Sequence, residues 1–136
     1  MYKYYIIMIV TLLTFFGCKS DDENDPIKLS EKDIECDYKE NYCTVSTGSE
    51  NWWFQKYVEV NGQHIPVTDL KTTYKDNNSG LSPIIIEGEW FRIAREGTQQ
   101  IVVHLKENKT KERRTLKILI QEDDYLDRVE IIQKMK

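Results

Sequence analysis

From residue 27 onward the apolar residues fall at every second position, in short runs separated by turn formers. Ile34, Cys36 and Tyr38 share one face of a first segment, and Cys43 and Val45 one face of the next. Ile101, Val103 and Leu105 repeat the pattern, then Leu116, Ile118 and Ile120, and Val129 and Ile131 continue it. Period two is the mark of a strand with one buried face, and no stretch keeps apolar residues at three- and four-residue spacing over a helical length. "WWFQKYVEV" runs into Asn61-Gly62 and "QHIPV" returns, which reads as a hairpin. Pro66 has no backbone donor, so the returning strand belongs at a sheet edge. "KDNNSGLS", residues 75–82, is a loop by composition. Beyond it come "PIIIEGEWFRIAR", "QQIVVHLKEN", "RRTLKILIQ" and "DRVEIIQK", with "QEDDYLD" as the turn between the last two. The pattern predicts an all-β fold, an antiparallel sandwich of seven or eight short strands with the alternating set between the sheets.

The first residues follow a different rule. Lys3 is the one charge before Cys18, and Tyr4 to Phe16 is unbroken aromatic, aliphatic and threonine sequence. A positive start, an apolar run and a small residue at the cut are the layout of a secretory signal peptide, and the run is shorter than the roughly 20 residues a spanning helix needs. An uncleaved anchor, or a secretory signal with an incidental cysteine, is the alternative. "FFGC" resembles the lipobox of bacterial lipoproteins. That resemblance implies acylation of Cys18, which becomes the first mature residue and ties the protein to a membrane. Lys19 and Ser20, followed by Asp21, Asp22 and Glu23, are similar to the export signal that carries Bacteroidota lipoproteins to the outer face of the outer membrane. The expected division is a signal peptide over 1–17, a lipidated acidic tether over 18–26 and one domain over 27–136. A domain of this length can hold its own core.

Charge and cysteine usage fit that compartment. The chain carries 19 basic and 23 acidic residues, a net charge of −4. Removing 1–17 takes away Lys3 and no acid, which gives −5 and no electrostatic case for nucleic acid. With Cys18 taken by lipid, Cys36 and Cys43 remain as a pair outside the reducing cytosol. A hairpin with Ile34 opposite Val45 sets Cys36 opposite Cys43, within reach of a disulfide; two buried thiols acting as small apolar residues are the alternative.

"GEWFRIAREGTQQIVVHLKENKTKERRTLKILIQEDDYLDRVEIIQK" resembles the BACON domain, the Bacteroidetes-associated carbohydrate-binding often N-terminal module of Ig-like fold. Trp90, Asn108, Arg114 and Ile132-Gln133 fall where that family shows them, and "CTVSTGSENWWF" looks like its strand, turn and tryptophan. The resemblance spans roughly residues 27–136 and implies an Ig-like sandwich that binds carbohydrate or a glycan-bearing, mucin-type protein. Read from the residues alone, Asn108 is a turn former, and Arg114 and Gln133 are polar ties at strand ends.

Candidate chemistry is confined to aromatics. Rings that stack on sugar faces, with amides or carboxylates beside them, are what a glycan site needs. Trp52, Trp53, Phe54, Tyr57, Trp90 and Phe91 are the candidates, with Trp52, Trp53 and Tyr57 foremost. Neighbours on a strand point to opposite faces, so one of Trp52 and Trp53 should face outward, as a sugar platform or as cover for a sheet, with Trp52 the first candidate platform. His64 and His104 lie on different predicted strands, no nucleophile turn is present, and no spacing matches a zinc or calcium site. Neither catalysis, a metal nor a cofactor is expected. Two functions remain: a surface lipoprotein that holds carbohydrate, or an interaction module docking on another outer-membrane component without a glycan.

Overall fold

Ten strands carry the chain from residue 33 to 133: β1 (Asp33–Cys36), β2 (Asn41–Ser46), β3 (Trp53–Val60), β4 (Gln63–Pro66), β5 (Lys71–Tyr74), β6 (Pro83–Glu87), β7 (Phe91–Glu96), β8 (Gln100–Leu105), β9 (Arg114–Glu122) and β10 (Tyr125–Gln133). The structure is a computed structural model that describes residues 24–136. The expected signal peptide, the lipidation site Cys18 and the acidic run Asp21–Glu23 lie outside the described residues. Two five-stranded sheets face each other, in the orders β1-β10-β9-β3-β4 and β2-β8-β7-β6-β5. This is the all-β sandwich that the alternation implies. Among the described residues, helix is limited to two single 3-10 turns, Val67–Asp69 and Lys75–Asn77.

The inward set builds the core. Val45, Ile86, Ile93, Ile101, Val103, Leu105, Leu116, Ile118, Ile120 and Val129 have no exposed surface, and Ile27 joins them just ahead of the first strand. The Asn61-Gly62 hairpin forms as read: both residues have positive φ, 51° and 77°, which suits a two-residue turn between right-twisted strands. Asn61 also receives the Thr115 N–H on its side-chain oxygen at 2.9 Å, fixing β9 beside the turn. β4 is the outermost strand of its sheet, where Pro66 needs no partner on its far side.

Three expectations change. The strands number ten among the described residues, because "PIIIEGEWFRIAR" breaks at Gly88 into β6 and β7, and because "KTTY" forms β5 without any alternation to announce it. Gly88 is fixed by contact: the Phe91 ring lies where a Cβ would stand. The sandwich is not wholly antiparallel, since β1 runs parallel to β10 with Ile34 beside Ile131 and Cys36 beside Gln133. Nor do β1 and β2 form a hairpin. They lie in different sheets and Ile34 is not opposite Val45, so Cys36 and Cys43 are not cross-strand neighbours in one ladder; both are unbridged in this structure. Residues 37–40 cross between the sheets, so each short apolar face meets the common core from its own side; a hairpin would put both in one sheet.

Polar ties close the end where β1, β8 and β10 finish. Asn108 is fully buried; its amide nitrogen donates to the carbonyls of Glu112 (2.8 Å) and Lys134 (3.2 Å), and its oxygen accepts from the backbone N–H and hydroxyl of Thr110. Gln133, also fully buried, donates to the Lys106 carbonyl at 2.9 Å and the Lys39 carbonyl at 3.2 Å. Arg114 lies over the Trp90 ring and reaches the Glu107 carbonyl at 3.4 Å. All three are structural, as the residues alone imply.

Candidate functional site

The two adjacent tryptophans part company at the start of β3. Trp52 is 1% exposed, with its ring edge-on to Phe54 at 5.1 Å and its indole N–H donated to the Thr98 carbonyl at 2.9 Å. The Arg95 guanidinium lies 4.0 Å from its ring centre. Burial lowers the Arg95 pKa, with Glu50 pulling the other way, yet its nitrogens reach three carbonyls, those of Trp52, Glu50 and Thr98. Trp52 is therefore a core residue and not the exposed platform. The reason is parity: Trp52 and Phe54 point inward together, and Trp53 takes the opposite face.

That face is the outer surface of the sheet holding β3, β9 and β10. Trp53, half-buried, sits opposite Gln121. The β3 register then slips against β9: Phe54 pairs with Ile120 and Val58 with Ile118, so Gln55, Lys56 and Tyr57 together oppose Leu119. Lys56 has the parity of Phe54 and Val58 and would enter the core of a regular strand. The bulge leaves it exposed and re-aims its neighbours. Gln55 donates its amide to the Gln121 side-chain oxygen, and Gln121 in turn bonds the Asp123 carbonyl at 2.6 Å. Tyr57 stacks on His64 of β4, ring centres 3.9 Å apart and planes 19° apart. Gln55, Tyr57, Leu119, Gln121 and Leu126, with the carboxylates of Asp124 and Asp127, line a shallow depression of about 250 Å³.

The middle of this face mixes rings and amides with the carboxylates of Asp124 and Asp127. Several nearby charges are paired: Lys117 with Glu59 at 3.0 Å, Arg128 with Glu130 at 2.9 Å, and Asp127 with Lys32 at 2.9 Å. Rings, amides, Leu126 and the exposed Asp124 are left on the surface. Of the residues expected from sequence, Trp53 and Tyr57 lie here and Trp52 does not. His64, Gln55 and Gln121 complete the face, and their part in it does not follow from the aromatic pattern. The hairpin held one signal: a two-residue turn at Asn61-Gly62 pairs Tyr57 with Pro66 and Glu59 with His64, which sets His64 diagonal to Tyr57.

The other histidine is remote from this face. His104 lies on the opposite sheet, stacked under Tyr42 at 4.4 Å and joined to Glu40 at 3.0 Å. Two further depressions, about 330 and 390 Å³, meet at Trp90, which is only 9% exposed and offers no ring face. Among the described residues no three His, Cys, Asp or Glu groups gather as metal ligands.

No family model and no curated protein sequence matches the chain. An NMR structure of a protein from Bacteroides thetaiotaomicron is similar at TM-score 0.63 and 15% identity, over 82% of this chain and 89% of that one. A Bacteroides ovatus GH5 xyloglucanase, solved in complex with a XXXG heptasaccharide, is similar at TM-score 0.46 and 12% identity, over 77% of this chain and 17% of that one. The first likeness is one of fold: a β-rich domain of this layout occurs in Bacteroides.

Proposed function

We propose that this chain is a non-catalytic surface lipoprotein, held at the outer face of the outer membrane by acylated Cys18, that binds carbohydrate, free or on a mucin-type glycoprotein. The observation that carries the reading is the outer face of β3, β4 and β9. There the Tyr57–His64 stack and Trp53 stand beside the Gln55–Gln121 amide pair and a shallow depression that also carries the Asp124 and Asp127 carboxylates. Flat rings present the apolar surface that a sugar's C–H face packs on, and amides exchange hydrogen bonds with hydroxyls. The BACON resemblance and the acidic run after Cys18 support the same assignment.

The face is open, so binding is weak, with Kd roughly 0.1–1 mM, because a small ligand on a flat sheet buries little area against its lost freedom. A glycan array probed with the wild-type chain and with Trp53→Ala tests the reading: the wild type retains a defined glycan class and the variant loses it. An array with no retained glycan returns the assignment to an interaction module docking on an outer-membrane protein. That second reading has its own support in Leu126, 65% exposed in the same depression.

A further inference from the structure

We propose that Cys36 and Cys43 are the two halves of a disulfide that clips the open flank of the sandwich, joining one sheet to the other. β1 and β2 are the outermost strands of their respective sheets, and no ladder joins them. The flank between them is laced at both ends. At one end the segment before β1 bonds to β2 and its exit: Ser30 N–H reaches the Ser46 carbonyl at 2.9 Å, and Gly48 N–H the Ile27 carbonyl at 2.7 Å. At the other, residues 37–40 cross from sheet to sheet, held by Asn108 N–H on the Tyr38 carbonyl at 2.7 Å and by Gln133 on the Lys39 carbonyl. Between these ties Cys36 and Cys43 both pack on the common core, half-buried.

The electrostatics of the two thiols bear on how the bridge would close. Burial first, and then the charge of Cys43, pushes the Cys36 thiol up to about 11; Cys43 acts on it more strongly than the adjacent Asp37 and Glu35 do. Burial raises the Cys43 thiol as well. Such thiols are neutral at pH 7 and attack slowly, so closure needs a disulfide oxidant, glutathione disulfide or an oxidoreductase of the thiol–disulfide exchange class. One thiolate attacks the oxidant's S–S bond to form a mixed disulfide and releases one thiol. The second thiolate then attacks the protein sulfur of that bond and releases the other. Two protons and two electrons leave the protein, one S–S bond breaks in the oxidant and one forms between Cys36 and Cys43.

The test supplies its own oxidant and so does not depend on where the protein resides. The reduced full chain in detergent is incubated folded at pH 8 with glutathione disulfide; free thiols are then blocked, and the protein is digested with trypsin without reduction. Cleavage after Lys39 separates the cysteines, so a bridge joins two peptides. The expected product is that joined pair from monomeric protein, with Tm raised on the order of 5–15 °C over the reduced form. Blocked thiols, glutathione retained on either cysteine, or bridges between chains as the main product overturns the proposal. Cys43→Ser supplies the control: it keeps the fold, and its Cys36 holds glutathione because nothing resolves the mixed disulfide.

Discussion

Arg95 covers the face of Trp52 with its guanidinium carbon 4.0 Å from the ring centre, while its nitrogens bond the carbonyls of Trp52 itself, Glu50 and Thr98. One side chain thereby seals the larger inward ring and ties the turn before β3 to β7. Arg95→Ala removes both the ring contact and the charged hydrogen bonds, at a cost of about 2–4 kcal/mol. Arg95→Lys recovers little, since an ammonium cannot lie flat on the ring and reach three acceptors. Urea unfolding followed by tryptophan fluorescence checks both variants.

Asn108 satisfies the loop after β8 and the end of β10 with one amide. Asn108→Ala strands carbonyls and an N–H at a fully buried position, and is expected to cost about 2–4 kcal/mol. Asn108→Asp keeps the acceptor for Thr110 but loses the donor and buries a charge, so it is no better. Chemical unfolding midpoints with an unchanged denaturant slope would show the loss as stability alone.

The reduced protein has a distinct alkaline limit. The folded-state pKa of Cys36 is raised from 9.0 to about 11, so its neutral form is the one the fold favours. The contribution is fully present below pH 9 and is lost as pH rises from 9 toward 11; for a site with substantial solvent contact it amounts to about 1 kcal/mol. Once Cys36 is bridged to Cys43 this titration vanishes. Unfolding free energies of reduced and oxidised protein, compared from pH 8 to 11, should diverge with rising pH.

The proposed location rests on residues before the described fold. Cys18→Ala is expected to abolish acylation and leave the protein unprocessed or released. Replacing Asp21, Asp22 and Glu23 with alanine should keep the lipid and lose surface exposure. Protease shaving of intact cells, with cleavage of the domain in lysate as control, reads out both.

What the sequence discloses is local, and what it conceals is long-range. Asn61-Gly62, Pro66, the Asp123-Asp124 turn and Asn108 act through neighbours a few residues away, so their roles are legible from composition and spacing. The partner of β1 lies at the far end of the chain, Ile34 beside Ile131, and nothing near residue 34 points to it. A hairpin to β2 is the natural local reading, and it fails for that reason. Alternation likewise demands that Trp52 and Trp53 diverge, and Trp52 turns inward with Phe54; the groups that receive its ring, Arg95 and Thr98, lie more than 40 residues on. The slip at Gln55–Tyr57 is equally silent, since only the match to β9 reveals that three residues face Leu119.

The proposed sugar platform is the outer face of β3 and β4. Calorimetric titration of the wild-type chain and of a Trp53→Ala, Tyr57→Ala variant with the glycan class retained on an array measures this most directly. Both positions are half-buried on the outer face, so the variant is expected to stay folded, as circular dichroism will verify. A sugar platform there gives a wild-type Kd of roughly 0.1–1 mM and a loss of at least about tenfold in the variant. Equal affinity in the two folded proteins, or no heat with any glycan, contradicts it.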